Sequence, residues 1–217
     1  DRDAGLLYGV EVAEGECPSV ITAENAREQY ERSEVTEHID EMTNFANVLS
    51  SNDFSQKIIG VILGCPHPGD HVLKRWGAYL GYTIEADGEG TDRQYGEFGD
   101  KIYEHFVHNQ VLQAVLRFGR DTSVGDATVY VNTAALPDWV EVNGKVVPTL
   151  FNTENKRAVA DFLRERGSKG ATKREIADSI DTSKRTVERC LNDLRDVDYV
   201  DVVDNPGPKK NTFVWIG

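Results

Sequence analysis

Two hydrophobic periods alternate along this chain. Lys57 to Leu63 carries the apolar run Ile58-Ile59-Gly60-Val61-Ile62-Leu63. It does not alternate with polar residues, so it predicts a strand buried on both faces. Shorter apolar strands are expected over 18–22 and 127–131. Helical patterns fill the intervals, over about 23–33, 36–46, 70–80 and 100–118. In the last of these, Tyr103, Phe106, Val107, Val111, Ala114, Val115 and Phe118 make one apolar stripe. Asp70 is placed to cap its helix and Gly81 to stop it, and the Gly-rich stretch 87–99 reads as a loop. Strands alternating with helices predict an α/β fold, a mostly parallel sheet with flanking helices.

The pattern changes near residue 150. Thr153 can cap a helix to about residue 166, and Thr172-Lys173-Arg174-Glu175 has capping-box spacing before a short helix ending near 180. Ser183 can cap a third helix, to about 195. Strands over 199–203 and 212–216 flank a loop rich in Pro, Gly and Lys. Helix, short helix, tight turn, helix and hairpin is the order of a winged helix-turn-helix. The expected domains are therefore 1–150 and 151–217.

Composition narrows the class. Of 217 residues, 39% are apolar and 28% charged, and no apolar run approaches the ~18 residues of a membrane helix. No membrane partner is expected. Cys17, Cys65 and Cys190 lie far apart without a C-x-x-C, which argues against disulfides and a cysteine-built zinc site. A cytoplasmic location follows. The chain opens on Asp1 with no leader pattern and reads as a piece of a longer one.

Charge is uneven. Residues 1–150 hold 11 Lys and Arg against 25 Asp and Glu, while residues 151–217 hold 13 against 12. The net charge of −13 suits a halophilic source. In molar salt the Debye length falls to ~3 Å, and an acidic surface no longer repels nucleic acid. The tail supplies local cations. Ser183, Lys184, Arg185, Thr186 and Arg189 fall in the first two turns of the third helix, with Lys209 and Lys210 at the hairpin tip. Short hydroxyls and cations at a helix start suit phosphate and base-edge contact, so DNA is the expected partner.

Gln113, Arg117 and Arg120 are spaced i, i+4, i+7, which a continuous helix would put on one face. Paired guanidinium groups suit the oxygens of a triphosphate. Cys65, His67, Asp70 and His71 offer ligand types in one short loop, but no second cluster completes a tetrahedral site, and no metal is expected.

The run Gln113-Ala-Val-Leu-Arg117-Phe-Gly-Arg120 resembles motif VI of the superfamily-two helicases, Q-x-x-G-R-x-x-R, with Leu116 at the usual Gly. Residues 15–140 are similar in order to that family's second RecA-like lobe, as in helicase-like proteins of halophilic archaeal plasmids and viruses. The stretch before the Lys57 strand, with Asn52 and Asp53, resembles a degenerate motif V. The resemblance implies Arg117 and Arg120 as arginine fingers and Gln113 as a polar organiser beside them. It implies ATP and Mg2+ as cofactors and DNA or RNA as substrate. No GxxxxGK[ST] occurs, so the nucleotide would be held by a P-loop lobe upstream, and this chain alone should not hydrolyse ATP. The rival expectation is a non-enzymatic replication or transcription regulator, in which residues 1–150 dimerise or sense a signal.

Overall fold

The computed structural model describes residues 2–48, 52–88, 93–144, 150–203 and 211–216. It divides into two compact units, residues 18–143 and residues 1–17 together with 144–217. The fold is mixed α/β with a parallel four-stranded sheet.

In residues 18–143 the strands are β1 (Ser19–Thr22), β2 (Met42–Asn44), β3 (Ile59–Leu63) and β4 (Thr128–Asn132), in the order β2-β1-β3-β4. All three pairings are parallel. β1 and β3 are buried along their whole length, as the uninterrupted apolar run demands. Ile21 lies in register with Ile62, and both pack into one core with Val107, Val111 and Ala114 of α5 (Gly96–Val115). The Thr22 hydroxyl is buried at the end of β1 and donates to the Leu63 carbonyl, 3.0 Å away. β2 and β4 form the edges.

Several elements differ from the sequence reading. The helix expected over 36–46 is a 3-10 turn (Glu34–His38), then β2, then the single turn α3 (Phe45–Val48). Backbone pairing decides this. Asp40 N–H donates to Pro18 O and Val20 N–H donates to Glu41 O, recruiting the segment as a sheet edge. Lys57 reinforces it by pairing with Asp40 and Glu41, and its ammonium and the Ser19 hydroxyl hold the Asp40 carboxyl below its usual range. α2 spans Glu24–Tyr30. Asp70 is the first residue of α4 (Asp70–Tyr79) rather than its cap; Gly69, at φ +82°, takes the cap position. α5 starts four residues early because the Asp100 carboxylate accepts from Tyr95 N–H. It also stops at Val115 rather than running on to Phe118.

The other unit holds α6 (Glu154–Arg166), α7 (Lys173–Ser179), α8 (Lys184–Arg195) and the antiparallel pair β5 (Val200–Val203) and β6 (Thr212–Trp215). The helices and strands fall close to where the sequence predicts them. The N-terminal α1 (Arg2–Glu14) has no counterpart in the sequence reading, and it belongs with this unit rather than with a domain 1–150. Tyr8 explains why. Its ring, 1% exposed, joins Phe151, Val159, Ala160 and Leu163 in the core, edge-on to Phe151. Its hydroxyl donates to Asp161 at 2.7 Å. Burial first, then that carboxylate, push the phenol well above its usual range. Gly5 permits the approach, since a Cβ there would sit 2.9 Å from the Phe151 carbonyl oxygen.

The dependence on α1 is testable by urea unfolding. Tyr8→Ala should cost this unit about 3–5 kcal/mol, as other buried aromatic truncations do. Tyr8→Phe, which keeps the ring and loses the hydroxyl's bonds to Asp161 and the Arg157 carbonyl, should cost less, about 1.5–2 kcal/mol.

Candidate nucleic-acid interface and the two ends of the sheet

α7 and α8 are presented by their caps. Thr172 and Glu175 close a reciprocal capping box at the start of α7. The chain then turns through Ile180–Thr182, where Asp181 adopts φ +48° and Thr182 N–H donates to Ala177 O. Ser183 caps α8 by accepting from Thr186 N–H at 3.1 Å, and the two hydroxyls lie 2.9 Å apart. Val187, Cys190, Leu191 and Leu194 form the buried stripe of α8, at spacing i, i+3, i+4, i+7. That stripe turns Lys184, Arg185 and Arg189 outward, and all three are exposed.

The two acids on α8 are engaged, while Asp181, two residues before its cap, is exposed. Lys173 of α7 pairs with Glu188 and holds its carboxyl below the usual range. Lys156 of α6 pairs with Asp193 at 2.7 Å. Lys184, Arg185 and Arg189 enter no ion pair among the described residues. The result is three exposed cations beside a helix start whose hydroxyls are capped, a combination that can receive an anion. Ser183 and Thr186 serve the cap first. Burial pushes the Cys190 thiol up, so it packs rather than reacts. Lys209 and Lys210 lie outside the described residues.

At the end of the sheet where the strands begin, the structure brings Arg117 and Arg120 beside the turn that carries Asn52 and Asp53. Gly119 N–H donates to Lys57 O, Asp121 N–H to Ser55 O, and the Gln56 amide to the Asp121 carboxylate. Asn52 and Asp53 are exposed at the start of a 3-10 turn (Asp53–Gln56), and Gln113 and Arg120 are exposed as well. The three motif residues do not share one helix face. α5 has ended before Arg117, and Gly119 turns the chain at φ +58°. Phe118 drives the break by entering the core against Phe54.

At the opposite end, where open α/β sheets bind ligands, the loop after β3 forms a hydrogen-bonded cluster. Gly69 N–H donates to His67 Nδ1, so the imidazole proton sits on Nε2, 3.1 Å from Tyr95 Oη. The Tyr95 hydroxyl donates to Asp70 at 2.9 Å, and Arg93 donates to the same oxygen at 3.1 Å. Cys65 Sγ is 3.9 Å from Tyr103 Oη. Burial raises the Cys65 thiol and lifts the Tyr103 phenol to about 12. Among the described residues no group of three or more His, Cys, Asp or Glu could hold a metal. Sequence reasoning missed Tyr95, Tyr103 and Arg93 as partners of this loop. The available signal was Tyr95, one of two aromatics in a polar Gly-rich stretch, which is 5% exposed.

The Tyr95 bond, then the charges of Arg93 and Lys74, hold the Asp70 carboxyl below its usual range against partial desolvation. A carboxyl lowered by folding stabilises above its unfolded pKa, and that stabilisation is lost as pH falls through the folded one. Tyr95→Phe should therefore raise the Asp70 pKa toward the ordinary value and shrink the stability this carboxyl contributes at neutral pH, so that less is lost on acidification. A carboxyl-carbon NMR titration reads the shift directly. No family model matches the chain, and no curated protein matches it.

Proposed function

We propose that the chain is the C-terminal part of an ATP-dependent nucleic-acid helicase or translocase. In this reading residues 18–143 are a RecA-like second lobe, and the unit of α6–α8 and the hairpin is a winged helix-turn-helix that docks on DNA. The observation that carries the reading is the start of α8, where Lys184, Arg185 and Arg189 project together while the neighbouring acids Glu188 and Asp193 are paired. Support for the lobe comes from the parallel sheet and from the Arg117–Arg120 turn lying against the Asn52–Asp53 turn. Two segments far apart in the chain, each resembling a nucleotide-coupled motif, thus meet at one end of the sheet.

An arginine finger serves a nucleotide held by another lobe, so it does not have to sit at its own sheet's ligand crevice. ATP and Mg2+ would be held upstream by a P-loop that this sequence lacks. Arg117 and Arg120 would neutralise charge that builds on the transferred phosphoryl group. The partners are DNA or RNA and that upstream lobe, in the cytoplasm of a halophilic host or its plasmid or virus. Among the described residues no helix is long and apolar enough to cross a membrane. The second reading, a non-enzymatic DNA-binding regulator, keeps the same α8 surface.

Two measurements test these readings. Fluorescence anisotropy with duplex DNA across a salt series should show the whole chain binding at low salt. The triple variant Lys184→Ala, Arg185→Ala, Arg189→Ala should bind more weakly and flatten the salt slope by about 0.9 for each phosphate it no longer neutralises. An unchanged slope sinks the docking role. In a protein that also carries the P-loop lobe, Arg117→Ala or Arg120→Ala should leave nucleotide binding nearly intact and cut turnover by ~10³ or more. Wild-type turnover in both variants would overturn the arginine-finger role.

A further inference from the structure

α4 buries very little of itself. Leu73 and Gly77 face the interior, while Trp76 is 45% and Tyr79 73% exposed. Arg75, Trp76 and Tyr79 are spaced i, i+1, i+4, which groups them on one side of the helix. Trp76 stands edge-on to Tyr79 at 6.1 Å and is tilted against Phe106 of α5 at 5.9 Å. A monomer that leaves aromatic faces of this size in water calls for an explanation.

The charge pattern supplies one. Residues 71–84 and 105–120 contain no Asp or Glu, in a chain that has 37 of them. They do contain Lys74, Arg75, Arg117 and Arg120. Burial does not account for the missing acids over 71–84, since most of those side chains are exposed. Lys74 and Arg75 enter no ion pair among the described residues. Asp70, the acid that precedes the stretch, is engaged by Tyr95 and Arg93. An apolar protein partner would explain the exposed rings but not the exclusion of acids. A polyanion with π faces explains both. Duplex DNA hides those faces in its stack, whereas a single strand presents them.

We propose that the α4 face of Trp76 and Tyr79, flanked by Arg75, is a second nucleic-acid site, which takes a single strand by base stacking. It rests on the nucleic-acid reading above and separates the labour, with duplex at α8 and single strand at α4. Stacking on an aromatic side chain tolerates any base, so the site has little sequence preference.

The test uses the whole chain with a labelled oligothymidine and, in parallel, a labelled duplex. Trp76→Ala combined with Tyr79→Ala should weaken oligothymidine binding roughly tenfold or more while leaving duplex binding unchanged. Oligothymidine should also quench tryptophan fluorescence in the wild type, and Trp76→Phe should bind yet lose that quenching. Undiminished oligothymidine affinity in the double variant, or quenching that survives Trp76→Phe, overturns the site. A wild type that binds duplex but no single strand also overturns it and leaves the α8 reading standing. Single-strand binding that is lost in the double variant, without any duplex binding, supports the site and removes the α8 reading. A wild type that binds neither overturns both.

Discussion

Phe118 lies against Gly60, and most of the α/β unit follows from that contact. β3 is buried on both sides, and a Cβ at Gly60 would come within 2.7 Å of the Phe118 ring. The missing side chain is the space the ring occupies. To deliver Phe118 there, α5 has to stop at Val115 and the chain has to turn through Gly119. Burying a phenylalanine ring is worth about 1.5–3 kcal/mol. Continuing the helix gains at most a few tenths of a kcal/mol per residue. The ring wins. The turn it forces then carries Arg117 and Arg120 to the strand-start end of the sheet, where Gly119 and Asp121 bond to the backbone of Lys57 and Ser55.

In the C-terminal unit the deciding effect is which charges remain unpaired. The ion pairs Lys173–Glu188 and Lys156–Asp193 lie at or near the surface, where each contributes at most about 1 kcal/mol. Their consequence is electrostatic rather than stabilising. They withdraw two carboxylates from the α8 surface, on which Lys184, Arg185 and Arg189 stay exposed and outside any ion pair among the described residues. An acidic protein can thus hold a cationic patch at a helix start without a basic domain around it. The acid-free stretch on α4 achieves the same end differently, by omitting carboxylates instead of pairing them.

Legibility tracked how local the physics was. The buried strand over 59–63, the capping box at Thr172 and the α8 stripe were all readable, because burial on two faces, a reciprocal cap and a helical period are written in adjacent residues. α1 was not readable. Gly5 and Gly9 lower its helix propensity, and its apolar residues run consecutively, so no stripe appears. Only its place beside Phe151 and Asp161 gives Tyr8 a role. β2 looked helical because Thr36 to Ala46 carries helix-forming acids; its partner strand, distant in the chain, overrode them.

The sequence by itself determined the strand and helix types over most of the chain, the alternation that makes the sheet parallel, and the identity of the cations at the start of α8. Those are properties of short windows, where side-chain period and caps act on their own neighbours. Tertiary structure alone decided that α1 joins the C-terminal unit and that Gln113, Arg117 and Arg120 do not share a helix face. It also decided that His67, Asp70, Arg93 and Tyr95 meet in one hydrogen-bonded cluster. Each of these depends on an interaction between residues far apart in the chain. Its free energy exists only once the strands have paired and the core has closed, so no local pattern records it.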